Sequence, residues 1–121
     1  QQAFARGKVA SHLEKVGPAR GHGTTITFEP DTDIFKTAKL DAELIRSRLD
    51  DMAYIHSGLR ITFKDEASGT SHDLTHPGGI PEYLGHLVQQ GGKAPVGDIV
   101  FTQARKEGDR VEVALCWTES T

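Results

Sequence analysis

The feature that most narrows what this chain can fold into is an apolar stripe in its middle third. Leu40, Leu44, Ile45, Leu49, Met52 and Ala53 recur at three- and four-residue spacing. That period belongs to an amphipathic helix, which must bury its stripe against another element. Asp41 is placed to cap its start or to sit in its first turn, and Gly58 to stop it. The opposite face carries Glu43, Arg46, Arg48 and Asp50. Those are expected to be solvated, with intrahelical pairs worth only about 0.2–0.5 kcal/mol each.

The segments around this helix follow the other period. Leu59 to Asp65 alternates almost strictly, with Leu59, Ile61 and Phe63 on one side. Ser68-Gly69-Thr70 turns the chain, and Ser71 to Thr75 can return as a partner strand. A second helix is signalled by Ile80, Tyr83, Leu84, Leu87 and Val88, with Pro81 tolerated in its first turn and Gly91-Gly92 at its end. Asp98 to Gln103 and Val111 to Trp117 predict a hairpin across Lys106-Glu107-Gly108-Asp109, with Val111, Val113, Leu115 and Trp117 sharing one face. Upstream, Gln2 to Arg6 reads as a short strand around Phe4. After the Gly17-Pro18 and Gly21-His22-Gly23 breaks, Thr24 to Glu29 reads as a second strand. The predicted order is β, β, α, β, β, α, β, β. An α+β fold follows, with helices packed on largely antiparallel sheet. His76-Pro77-Gly78-Gly79 interrupts both periods and is the best candidate for a domain junction.

Composition supports a globular chain with a modest core: 121 residues, 36% apolar and 26% charged. At this size folding is expected to bury roughly two-thirds of the unfolded surface. A net charge of −3 argues against an autonomous nucleic-acid binder, which carries a basic patch or stripe. Cys116 is the single cysteine, so no intramolecular disulfide forms, and its strand context predicts a buried, inert thiol. No run approaches the ~18 apolar residues of a membrane span. The chain opens on Gln1, so flanking sequence is expected.

Few residues present chemistry. His72 and His76 are four apart but fall on a strand running into a loop, so no metal site is expected from the six histidines. Ser71, His72 and Asp73 are neighbours on a strand and point to opposite faces, which a triad forbids. Asp31-Thr32-Asp33 fits a turn or cap. Gly21-His22-Gly23-Thr24 ranks highest: glycine admits close approach of a flat ligand, and the threonine hydroxyl can donate or accept a hydrogen bond. Alone it is an ordinary turn before a strand, and it is not a P-loop.

A longer pattern surrounds that segment. Gln2-Ala3-Phe4-Ala5-Arg6-Gly7 is followed by Gly23-Thr24-Thr25-Ile26-Thr27-Phe28-Glu29-Pro30-Asp31 and Ile34-Phe35. Arg48-Leu49, Ala53-Tyr54-Ile55, Ser57-Gly58-Leu59-Arg60-Ile61, Gly78-Gly79-Ile80, Tyr83-Leu84 and Val111 to Leu115 with Trp117 continue it. In order and spacing this resembles the B subunit of bacterial type IIA DNA topoisomerases. The resemblance implies that residues 1–77 are the last part of a Bergerat-type ATPase domain and residues 78–121 the beginning of a transducer domain.

The resemblance also implies a site. Thr24 matches the family's threonine beside the adenine, and Gly23 and Ile26 match the neighbouring pocket wall, which aminocoumarin inhibitors also use. ATP and Mg2+ are the cofactors implied for a parent enzyme, with an A-type subunit and DNA as partners and the B-subunit ATPase region as homodimer. A cytoplasmic setting is implied as well. The family's general-base glutamate, magnesium-binding asparagine, adenine-reading aspartate, phosphate lid and transducer lysine have no match in this chain. No catalytic residue is therefore expected here, and the chain by itself is expected to be inactive. Two positions depart from the family: Gln1 stands where many members have an arginine at the pocket mouth. Cys116 and Thr118-Glu119-Ser120 replace a glutamine and an Asn-Asp-Gly run around the tryptophan. The competing expectation is a stand-alone interaction or regulatory module built on this half of the fold.

Overall fold

The computed structural model of the chain describes residues 1–37 and 39–119. Ser120, one of the positions that departs from the family pattern, lies outside the described residues. The chain forms two compact units, Gln1–Leu40 and Asp41–Thr121.

The first unit is built on a hairpin of β1 (Ala3–Ala5) and β2 (Lys8–Ser11). Ala5 pairs with Lys8, so Arg6 and Gly7 alone make the turn, both at positive φ (50° and 75°). Positive φ at both central positions is the type I′ geometry, whose twist matches that of the strands it joins. The ends of the hairpin are tied by reciprocal bonds between Gln1 and Glu14. The second strand expected in this region, Thr24 to Glu29, does not form; the second strand is Lys8–Ser11 instead. The β-branched residues of 24–29 favour extended backbone. A strand also needs a backbone partner, and the described residues offer this segment none.

In the second unit, α1 spans Ala42–Ile55, and Asp41 caps it as expected, accepting from Leu44 N. Its buried face is rotated slightly from the expected stripe. Ile45, Leu49, Ala53 and Tyr54 turn inward together with Asp50, whereas Leu40, Leu44 and Met52 remain about half exposed. The helix packs on a hairpin of β3 (Ile61–Asp65) and β4 (Thr70–Leu74), with Ile61 and Phe63 facing inward and Leu74 buried. Asp65 organises the turn by accepting from Ala67 N (3.0 Å) and Ser68 Oγ (2.5 Å).

The second helix, α2 (Gly79–Gln90), packs against α1 and against the long hairpin of β5 (Pro95–Lys106) and β6 (Asp109–Thr118). That hairpin also turns on two residues, Glu107 and Gly108, both at positive φ. Val111, Val113, Leu115 and Trp117 do share a face, but it is the uncovered one, 40–64% exposed. The half-buried side chains of β6 are Glu112, Ala114, Cys116 and Thr118. Helix α2 meets the hairpin at Gly85 and Ile99, where an added Cβ would make only ordinary contact at 3.8 Å. The architecture is α+β, with antiparallel two-stranded sheets and one helix on each of the two later hairpins. The core is smaller than composition suggests: among the described apolar residues only Ala53, Tyr54 and Leu74 are buried.

Candidate functional site

Gly23, Thr24 and Ile26 lie on one run without regular secondary structure in the first unit, brought close by sequence alone. All are exposed, Ile26 by 80%. Neither left-handed backbone nor crowding requires glycine at 23: a Cβ added there meets nothing within 4 Å. The absent side chain therefore serves no packing inside the chain. No hydrogen bond within the described residues engages the Thr24 hydroxyl. The turn after this run is better fixed. Asp31 makes an Asx turn, accepting from Asp33 N at 2.9 Å, and its carbonyl accepts from Ile34 and Phe35. Arg6 reaches across from the β1–β2 turn to Asp31 (2.7 Å) and also pairs with Asp33. The acidic turn thus anchors the segment after Phe28 to the hairpin. The arrangement can offer a hydroxyl, an open glycine backbone and an apolar side chain, all three exposed.

The second unit holds a cluster that residue order does not announce. His76 leaves β4 just before α2 and stacks flat on Tyr54 of α1, with ring centroids 3.5 Å apart and planes at 11°. Tyr83 and His86 of α2 stack on the same Tyr54 at 4.9 and 5.8 Å. Around the rings stand carboxylates. His76 Nε2 lies 2.6 Å from Asp50 Oδ1, and Nδ1 lies 3.1 Å from Glu82 Oε1. The other Glu82 oxygen accepts from Gly78 N at 2.9 Å, and Tyr83 donates to Asp51 at 2.9 Å.

These contacts shift the titration of the groups involved. Burial works against a charged His76, but hydrogen bonds and charges from Asp50 and Glu82 outweigh it and hold the ring above the ordinary histidine range. Burial and the nearby Asp50 raise Tyr54, and the hydrogen bond to Asp51 raises Tyr83. The groove between the helices, lined by Arg46, Asp50, Asp51, Tyr83, His86 and Gln90, measures about 140 Å³. Small-molecule sites run to roughly 300–1,000 Å³, so this groove is too small for a nucleotide. The cluster joins helices. His72 lies within β4 and His76 beyond its end. No group of three or more histidine, cysteine or acidic side chains able to hold a metal occurs among the described residues.

No protein-family model matches the chain. Individual proteins do, along nearly its whole length. It is 38% identical over 122 residues to the DNA gyrase B subunit of Synechocystis, covering 96% of this chain and 11% of that protein. It is 32% identical over 120 residues to the DNA gyrase B subunit of Archaeoglobus fulgidus, covering 98% and 19%. In structure it superposes on the 43K ATPase domain of Thermus thermophilus gyrase B, solved with an aminocoumarin, with a TM-score of 0.76 and 30% identity. That match covers 97% of this chain and 32% of the other. The chain thus spans about a fifth or less of the length of these two curated relatives. Among the described residues no helix is long and apolar enough to cross a membrane.

Proposed function

For a chain homologous along nearly its whole length to a segment of the DNA gyrase B subunit, we propose a role as one wall of the nucleotide pocket together with the start of the transducer. Residues 1–77 are read as the end of the ATPase domain and residues 78–121 as the first part of the transducer. The parent is a cytoplasmic, ATP-hydrolysing DNA topoisomerase whose partners are a gyrase A-type subunit, DNA and a second B subunit. In that setting ATP binding would clamp two B subunits and drive strand passage for supercoiling.

One observation carries the reading: the likeness, over 97% of this chain, to an ATPase domain solved in complex with an aminocoumarin. The local geometry agrees with it. The Thr24 hydroxyl is free to join a hydrogen-bonded network at an adenine edge, the open backbone at Gly23 allows a flat base to approach, and Ile26 supplies apolar contact. An aminocoumarin would use the same wall. Thr24 to Glu29, which pairs with no strand among the described residues, has backbone donors and acceptors with which to join a larger sheet.

Mg2+ is different. It requires oxygen ligands in near-octahedral order, and Gly23, Thr24 and Ile26 bring no carboxylate. The ion does not fit at this wall, and no step is assigned to it. Phosphate chemistry belongs to residues that would complete the pocket from outside this chain. What this chain contributes is binding and orientation of the base.

The test is an amide-resolved NMR titration with a non-hydrolysable ATP analogue, repeated with an aminocoumarin. Saturable shifts centred on Gly23, Thr24 and Ile26 are expected. Thr24→Ala should weaken binding about 3- to 10-fold, the worth of one hydrogen bond of ~1 kcal/mol. A well-dispersed spectrum that neither ligand moves would overturn the wall.

A further inference from the structure

We propose that His76 is a protonation-dependent clasp that fixes the first turn of α2 to α1. Its charge state follows from a count of hydrogens. Both ring nitrogens of His76 face carboxylate oxygens, Asp50 Oδ1 at 2.6 Å and Glu82 Oε1 at 3.1 Å. An ionised carboxylate only accepts, and a neutral imidazole has one N–H to give. Both contacts are therefore satisfied together only by the imidazolium. The alternative, a proton on one of the carboxyl groups, is disfavoured near neutral pH because their ordinary pKa values lie near 4.

The surroundings hold the charged ring in place. Tyr54 lies flat beneath it at 3.5 Å, a cation–π geometry. From α1, Asp50, Asp51 and Tyr54 face this cluster; from α2, Glu82, Tyr83 and His86. Two cations of α1 border the cluster: Arg46 pairs with Glu43 and also interacts with Asp50, and Arg48 lies 3.8 Å from Asp51 and acts on Tyr83. Of the groups that β4 brings, Asp73 accepts from Thr62 Oγ1 at 2.7 Å, and His72 lies near Glu43. Positive charge at His76 is thus met by acids from both helices.

Glu82 makes the clasp consequential. Its second oxygen accepts from Gly78 N, the N-cap position of α2, which has no side-chain cap of its own. A neutral ring must release one acid. The longer contact, to Glu82, goes first, and the carboxylate that orders the start of α2 loses its hold on α1. Because the surrounding acids raise the folded midpoint of His76, the clasp is complete below the ordinary histidine midpoint of about 6.5. It is lost as pH rises through the folded midpoint. If the domain division proposed for the parent is correct, the clasp sits at the ATPase–transducer junction; its existence does not depend on that reading.

The experiment follows the histidine ring resonances and the Gly78 amide of the 121-residue chain by NMR across pH, without nucleotide. The His76 midpoint should lie above the ordinary histidine value of about 6.5, and the Gly78 amide should move with the same midpoint. In Glu82→Gln, whose amide can donate to a neutral ring while its oxygen still accepts from Gly78, the His76 midpoint should fall and Gly78 should stop following it. A His76 midpoint at or below about 6.5, or a Gly78 amide indifferent to it, would overturn the clasp. Neither result bears on nucleotide binding, so the two proposals fail separately.

Discussion

Gly78 and Gly79 stand together at the start of α2, and the space around them differs. A Cβ at Gly78 would meet the Glu82 carboxylate at 2.6 Å, in the contact that orders the helix start. Gly79 is at φ +62, and its Cβ would approach Ser57 Cβ to 3.2 Å. Left-handed backbone and a close neighbour therefore both select glycine at 79. Gly79→Ala is expected to destabilise the chain by about 1–2 kcal/mol, measured as a lower urea midpoint with an unchanged slope. An unchanged midpoint would show that the helix start relaxes freely. Tyr54 is the complementary case, a large side chain enclosed by its neighbours. It is buried, with the rings of His76, Tyr83 and His86 stacked against it.

At the scale of elements, the two helices are started differently. Asp41 caps α1 from its own side chain, accepting from Leu44 N at 3.0 Å. Asp41→Ala should cost about 1 kcal/mol, seen as a lower melting temperature and faster exchange of the Leu44 amide. Unaltered exchange there would mean the cap is replaced by water at no cost. By contrast, α2 has glycine at its N-cap, with no side-chain cap, and relies on Glu82 and the ring beside it. Its start is therefore expected to respond to pH, whereas Asp41 is a cap contained within α1. The hairpins divide in a similar way. Two are closed by type I′ turns at Arg6-Gly7 and Glu107-Gly108, and the third by a longer loop that Asp65 holds.

Across the whole chain, burial is sparse and uneven. No described residue of the first forty is buried, and the apolar face Val111, Val113, Leu115 and Trp117 is uncovered. Contiguous apolar surface of this kind drives association. Sedimentation is expected to show concentration-dependent self-association of the isolated chain, weakened in Leu115→Asp with Trp117→Asp. A clean monomer at high concentration would count against it. The same distribution explains why the proposed nucleotide wall is open: Gly23, Thr24 and Ile26 belong to the unit that buries least.

Local signals determined much of this protein. Period and punctuation placed α1, α2 and the two later hairpins, because each is specified by residues three, four or two apart. Asp41 marked the start of α1 through its side chain and Gly91 the end of α2, whereas α1 stops at Ile55, short of Gly58. The resemblance, carried by contiguous landmarks such as Gly23 to Asp31, identified the kind of protein and the expected wall. Only the tertiary structure decided the rest. Thr24 to Glu29 has β-strand composition but no partner, and pairing is a property of two segments, not one. The uncovered face of β6 was hidden because alternation shows which residues share a side without showing which side a helix covers. The cluster at His76 was hidden for a related reason. Asp50 is 26 positions away in sequence, and the charge of an imidazole is set by the groups that folding brings to its two nitrogens.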